Sequence, residues 1–203
     1  MSPQMGVYTK ADADADIAAH QATLDAHTFN KYEKLVEGRY MLAYSGLFST
    51  SSFTIEANKL YAIPFAAARA MTVDRIAFKV ATPGAAGTKA RLGIYNSGTE
   101  GEPTSLLLDA GTVPVDTETV KSIAIEQALS KGIYWLAAVS DGTPKVIRHY
   151  AMSTPYGIIS DWTQMVSHIY VAHAFGALPD PFGTPDEATA EGIYISLRLK
   201  SLD

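Results

Sequence analysis

Residues 132–139 read GIYWLAAV, with Ile133, Trp135, Ala137 and Val139 on one side of a two-residue repeat. The same alternation recurs in RIAFKV (75–80), where Ile76, Phe78 and Val80 alternate with Arg75, Ala77 and Lys79. It recurs in ARLGIYN (90–96), where Leu92 and Ile94 alternate with Arg91 and Tyr95. VKSIAIE (120–126) places Ile123 and Ile125 together, and GIYISLRLK (192–200) sets Ile193, Ile195, Leu197 and Leu199 against Tyr194, Ser196 and Arg198. A period of two with one apolar side describes a sheet with one face on a core and one toward water. Weaker strands are expected near 53–57, 59–65, 106–113 and 145–151.

Between these runs stand turn sequences: ATPGAAGT (81–88), NSGTEGEPT (96–104), SKG (130–132) and SDGTP (140–144). Short strands at this spacing predict a mainly β domain, an antiparallel jelly-roll-like sandwich over 46–203. No full-length helices alternate with the strands, so a doubly wound α/β sheet is disfavoured.

The N-terminal part differs. All ten prolines except Pro3 lie at Pro64 or beyond, and neither Gly nor Pro occurs between Gly6 and Gly38. A helix is expected from about Ala11, with Asp12, Asp14 and Asp16 at its positive end and Gly38 as its stop. Its apolar stripe is thin. Ile17 and Leu24 stand seven apart, and His20 and His27 follow each by three. A second stripe holds Phe29, Tyr32 and Val36, with Leu35 beside it. A lone helix of this kind is marginal in water and is expected to pack on copies of itself or on another protein. We therefore read 1–45 as a helical attachment segment, with Ile17, His20, Leu24, His27 and Leu35 as its oligomerisation residues. In a trimer the two histidines would form inward rings; alternatively they are solvated on a loosely packed helix.

Residues 152–190 break the pattern. This irregular insertion carries Tyr156, Trp162, Tyr170, Phe175 and Phe182. A flat ring beside a carboxylate is the chemistry of sugar recognition, so Tyr156, Asp161, Trp162 and Tyr170 form the candidate ligand site. The same rings equally suit packing within the insertion or covering an end of the sandwich. Asp180, Asp186, Glu187 and Glu191 match no defined calcium loop and are expected to be solvated acids. His168 and His173, five apart, lie off the spacing that shares a metal, so no metal site and no cofactor is expected.

Composition narrows the function classes. The 203 residues hold 21 acids against 16 bases, a net charge of −5, which disfavours a nucleic-acid surface. No apolar run is long enough for a spanning helix, so no membrane insertion is expected. There is no cysteine, which removes disulfides, thiolate metal sites and cysteine nucleophiles together. The nucleophile elbow, zinc-protease and phosphate-loop signatures are absent as well. The chain is not expected to be an enzyme.

The block DRIAFKV, ARLGIYNSGTEGEPTSLLLDAGTV and KSIAIEQALSKGIYWLAAVSDGTP, spanning Asp74 to Asp141 and beyond, resembles the β-sandwich of tail-fibre, head-fibre and related surface proteins of tailed bacteriophages. AHQATLDAHTFN (19–30) resembles helical connectors near a trimer stem in tail proteins. The resemblance covers about a third of the chain well and another tenth loosely, and its motifs are structural. It implies a fibre, spike or tail-tip component at the virion surface, assembled in the host cytoplasm. Its implied partners are itself as a homotrimer, other virion proteins through 1–45, and host cell-surface polysaccharide. A ligand-free decoration protein is the first alternative. A carbohydrate-binding module, or a small polysaccharide hydrolase pairing Asp161 with an acid of the 180–191 loop, is the second. The chain lacks the long repetitive shaft usual in fibres.

Overall fold

The computed structural model describes residues 10, 14–16, 35–41, 48–150, 168–188 and 191–202. By internal contacts the chain divides into two units, Met1–Val36 and Glu37–Asp203. In the first, the described residues 10 and 14–16 are helical, with Lys10 Nζ 3.3 Å from Asp14 one turn on. Leu35 and Val36 are irregular and half-buried. Ile17, His20, Leu24 and His27 lie outside the described residues.

The second unit is built from strands: β1 (Tyr40–Met41), β2 (Phe48–Thr54), β3 (Lys59–Ala67), β4 (Met71–Thr82), β5 (Lys89–Ser97), β6 (Pro103–Pro114), β7 (Val120–Leu129), β8 (Gly132–Ser140), β9 (Lys145–Tyr150), β10 (His168–Ala172), β11 (Asp186–Ala188), β12 (Glu191–Ile193) and β13 (Ser196–Leu202). One sheet runs β1-β13-β4-β9-β12, with β7 also on β4 and β2 also on β9. The other runs β11-β10-β3-β8-β5-β6. Every pairing between these strands is antiparallel. The chain changes sheet at most steps, giving the expected jelly-roll-like sandwich. Tyr40 and Met41, inside the segment read as an attachment arm, pair with Arg198 and Leu197 of β13.

The inter-sheet core follows from alternation. Val73, Ile76, Phe78, Val80, Leu197 and Leu199 of the first sheet are fully or almost fully buried, as are Tyr61, Ile63, Phe65, Leu92, Ile94, Leu136 and Ala138 of the second. Phe53 and Tyr61 meet edge-on across the gap, with ring centroids 5.2 Å apart.

Alternation sets one face of each strand on the core, the face of Trp135, Ala137 and Val139 in β8, and leaves Tyr95 on the watered side of β5; the structure departs from this. In the structure both faces of β3, β5 and β8 are buried. Leu60, Ala62, Tyr95, Trp135, Ala137, Val139 and Ile169 form a second apolar layer on the outer face of the six-stranded sheet. Leu178 and Phe182 close that layer, with Phe175 packed against it. Residues 173–185 therefore form a strap over the sheet, and apolar residues on both strand faces follow from having two layers to fill.

The strap is held at six points. Asn58, at φ 59°, accepts the N–H of His173 on its carbonyl and the N–H of Phe175 on its side chain. Leu178 N donates to Asp109 Oδ2 at 3.1 Å. The Tyr95 hydroxyl donates to Pro179 O at 2.8 Å. Leu106 N donates to Asp180 Oδ1, and Phe182 N donates to Thr104 O. Five of these bonds pair a backbone group of the strap, and in the sixth the Asp180 carboxylate accepts the N–H of Leu106 on β6.

Candidate functional site

Of the residues expected to bind ligand, Tyr156, Asp161 and Trp162 lie outside the described residues. Tyr170 is half-buried on β10 opposite Tyr61 of β3. Its ring joins a cluster with Tyr61 and the buried His168, and Lys59 Nζ lies 4.3 Å from its centroid. Burial pushes the Tyr61 phenol up to about 12, and its oxygen accepts the Glu56 N–H at 3.2 Å. These contacts give Tyr170 a packing role at the edge of the sheet. Asp180 accepts a backbone N–H within the strap system, and Asp186 is exposed on the edge strand β11. His173 bonds Ala177 O within the strap. Among the described residues no group of three or more His, Asp or Glu side chains is placed to hold a metal ion.

The structure also places a site that the sequence reading passed over as a turn. The β8–β5 ladder ends at the pair Asn96–Tyr134, whereas β8 continues along β3 through Ile133 and Gly132. The β5–β6 connection bends away at this point. Gly98 N donates to Glu102 O at 2.7 Å, and Gly101, at φ 91°, donates to Gly98 O. A notch opens between the turn and the start of β8. It is a shallow cup of about 440 Å³, lined by Asn96, Ser97, Gly98, Thr99, Gly101, Gly132, Ile133 and Tyr134. That volume lies in the range of roughly 300–1,000 Å³ typical of small-molecule sites.

Hydrogen bonds hold the walls. Trp135 Nε1 donates to Gly101 O at 2.9 Å, tying the turn to the outer apolar layer. Asn96 Nδ2 donates to Ser105 Oγ, and Thr104 Oγ1 donates to Asn96 O. The Tyr134 hydroxyl is turned to Ser130 O. Ile133 is one of the few large apolar side chains exposed among the described residues. Ser97 Oγ, on a lining residue, and Glu102 Oε2, on a residue behind Gly98 that does not line the cup, are buried with no hydrogen-bond partner among the described residues. The Glu102 carboxylate lies against Gly98, where a Cβ would fall 2.9 Å from Oε2. Chemically the cup offers hydroxyl and amide groups, glycine backbone, an aromatic ring and one aliphatic side chain.

The outer face of the first sheet carries ion pairs instead. Arg198 holds Asp74 through two bonds of 2.7 and 2.6 Å, which lowers the Asp74 carboxyl. Lys200 meets Glu126 at 2.7 Å. Half-exposed pairs of this kind are a solvated surface worth little each.

No protein-family model matches the sequence, and no curated protein matches it. Among solved structures, the chain is similar to the cysteine protease and lectin-like domains of Cwp84, a surface layer associated protein of Clostridium difficile. The TM-score is 0.46 at 10% identity, covering 75% of this chain and 37% of that one. With no cysteine in its sequence, the present chain has no thiol for cysteine-protease chemistry.

Proposed function

We propose that this chain is a non-catalytic surface protein of a virion, a fibre, spike or tail-tip component of a tailed phage or phage-like particle. Residues 1–45 carry attachment and self-association as a trimer, and the β body faces outward to recognise host-surface polysaccharide. The observation that carries the reading is the division at Val36–Glu37, which leaves a β unit with its own closed core. The resemblance of residues 74–141 to phage surface sandwiches supports it further. A protein standing on a particle needs a robust head and a joining element, and symmetric repetition raises the avidity of weak contacts through effective concentration.

Light scattering on the full chain tests this. The expected mass is about three times the 21.8 kDa of one chain, falling to one chain on Leu24→Asp. A wild-type monomer at micromolar concentration would refute self-association through the leader.

A further inference from the structure

We propose that the cup between the β5–β6 turn and the start of β8 is a saccharide site that takes a neutral sugar unit by its hydroxyl groups and its apolar C–H face. This deepens the recognition reading above and rests on it.

Three observations carry the assignment. The first is shape: the end of the β8–β5 ladder opens a notch of about 440 Å³ whose walls are fixed by the Trp135–Gly101 bond. Such a site needs little ordering on binding, which preserves affinity. The second is composition. Asn96, Ser97 and Thr99 offer short polar groups, while Tyr134 and the exposed Ile133 offer apolar surface. Sugars present both kinds of face, and aromatic rings pack on the C–H one. Gly98, Gly101 and Gly132 leave backbone within reach of a ligand.

The third observation is the pair of unsatisfied oxygens, Ser97 Oγ and Glu102 Oε2. A buried acceptor without a donor is unfavourable. The carboxylate has room beside Gly98 only because that residue lacks a Cβ. A ligand hydroxyl entering the cup, with a small turn of the Ser97 side chain, relieves the deficit at Ser97 Oγ, which lines it. The negative charge at Glu102 disfavours a uronate or sialyl group at the same place. No group of three or more metal-ligating side chains occurs among the described residues.

The test uses the folded full chain and titration calorimetry against two panels. One holds neutral oligosaccharides of glucose, galactose, mannose and N-acetylglucosamine; the other holds uronate- and sialyl-containing oligosaccharides. Saturable binding of a neutral member is expected, with the acidic panel at least ten-fold weaker. Thr99→Trp, at an exposed rim position, fills the cup and should reduce affinity at least ten-fold without changing the melting temperature. Tyr134→Ala should also reduce affinity at least ten-fold, and Tyr134→Phe should retain binding. Neutral binding untouched by Thr99→Trp and Tyr134→Ala would overturn the cup while leaving the recognition reading intact. No binding from either panel would overturn both. A preference for acidic sugars, or binding abolished by a calcium chelator, would overturn the neutral-hydroxyl assignment.

Discussion

Phe182→Ala separates a strap that belongs to the core from a loop that merely rests on it. Phe182 sits in an irregular segment yet is only 1% exposed, and its ring meets Tyr95 edge-on at 5.0 Å and 90°. Replacing a surface loop residue normally changes stability by less than about 0.5 kcal/mol. Truncating a buried phenylalanine removes its transfer free energy and leaves a cavity, together about 3–5 kcal/mol. The lost edge-to-face contact with Tyr95 accounts for about 0.5–1.5 kcal/mol within that. For a body of this size each kcal/mol lowers the melting temperature by roughly 2–4 °C, so a fall of about 6–20 °C is expected. Urea unfolding followed by tryptophan fluorescence and by far-UV circular dichroism measures it. The midpoint should move with the slope unchanged and with both probes coincident. A loss below about 0.5 kcal/mol would refute the claim that the outer layer is a second core. So would a loss of near-UV signal at unchanged stability, which would show a strap that detaches without the sheet noticing.

Three further outcomes follow from the same layer. Gly93→Ala would place a methyl against the Leu178 side chain and 2.7 Å from Leu108 O, so a loss of about 1–3 kcal/mol in urea unfolding is expected; a neutral result would mean the strap yields there. Asp109→Asn should be destabilised at pH 7 by roughly 1–3 kcal/mol. Burial raises the Asp109 carboxyl, but the Arg91 guanidinium and the N–H groups of Leu178 and Gly111 outweigh it and hold it below its ordinary value. A depressed carboxyl stabilises the fold above its unfolded value of about 3.9, and that contribution is lost as pH falls through the native value. The gap between wild type and Asp109→Asn should therefore close on acidification in a pH series of melting temperatures, and a gap that stays constant would refute the clamp. Asn58→Gly keeps the left-handed backbone and loses one bond to Phe175, whereas Asn58→Ala also takes on about 1–2 kcal/mol of backbone strain. The alanine variant should melt lower than the glycine variant, and equal melting temperatures would refute the assignment of strain.

The strands were legible because alternation is a local signal: 75–80, 90–96, 120–126 and 132–139 each fall within one observed strand, whereas 192–200, expected as one strand, is split at 194–195 between β12 on β9 and β13 on β4. What alternation misassigned was the second face. Tyr95 looks like a polar-side residue, yet it is fully buried with its hydroxyl on Pro179 O, 84 residues away. The signal for the second layer was present in Leu136 and Ala138 beside Trp135 and Ala137, a run apolar on both faces. Its cover could not be read, because Phe175, Leu178 and Phe182 follow no period and lie among Pro and Gly. The cup was illegible for a different reason. Its two arms, near Asn96 and near Tyr134, become neighbours only through the β5–β8 pairing, with β6 and β7 lying between them in the chain. Long-range pairing of this kind leaves no mark in a local window.

Trp135 joins the two findings. Its ring belongs to the outer layer that Leu178 and Phe182 close, and its Nε1 fixes the carbonyl of Gly101 at the rim of the cup. A buried indole N–H needs an acceptor, and here the acceptor is a turn backbone that would otherwise be free to move. The strap thus does more than cover apolar surface. The same indole packs in the layer that the strap closes and bonds the glycine-rich turn, so the strap, bonded at six separate points, and the wall of the cup share one side chain.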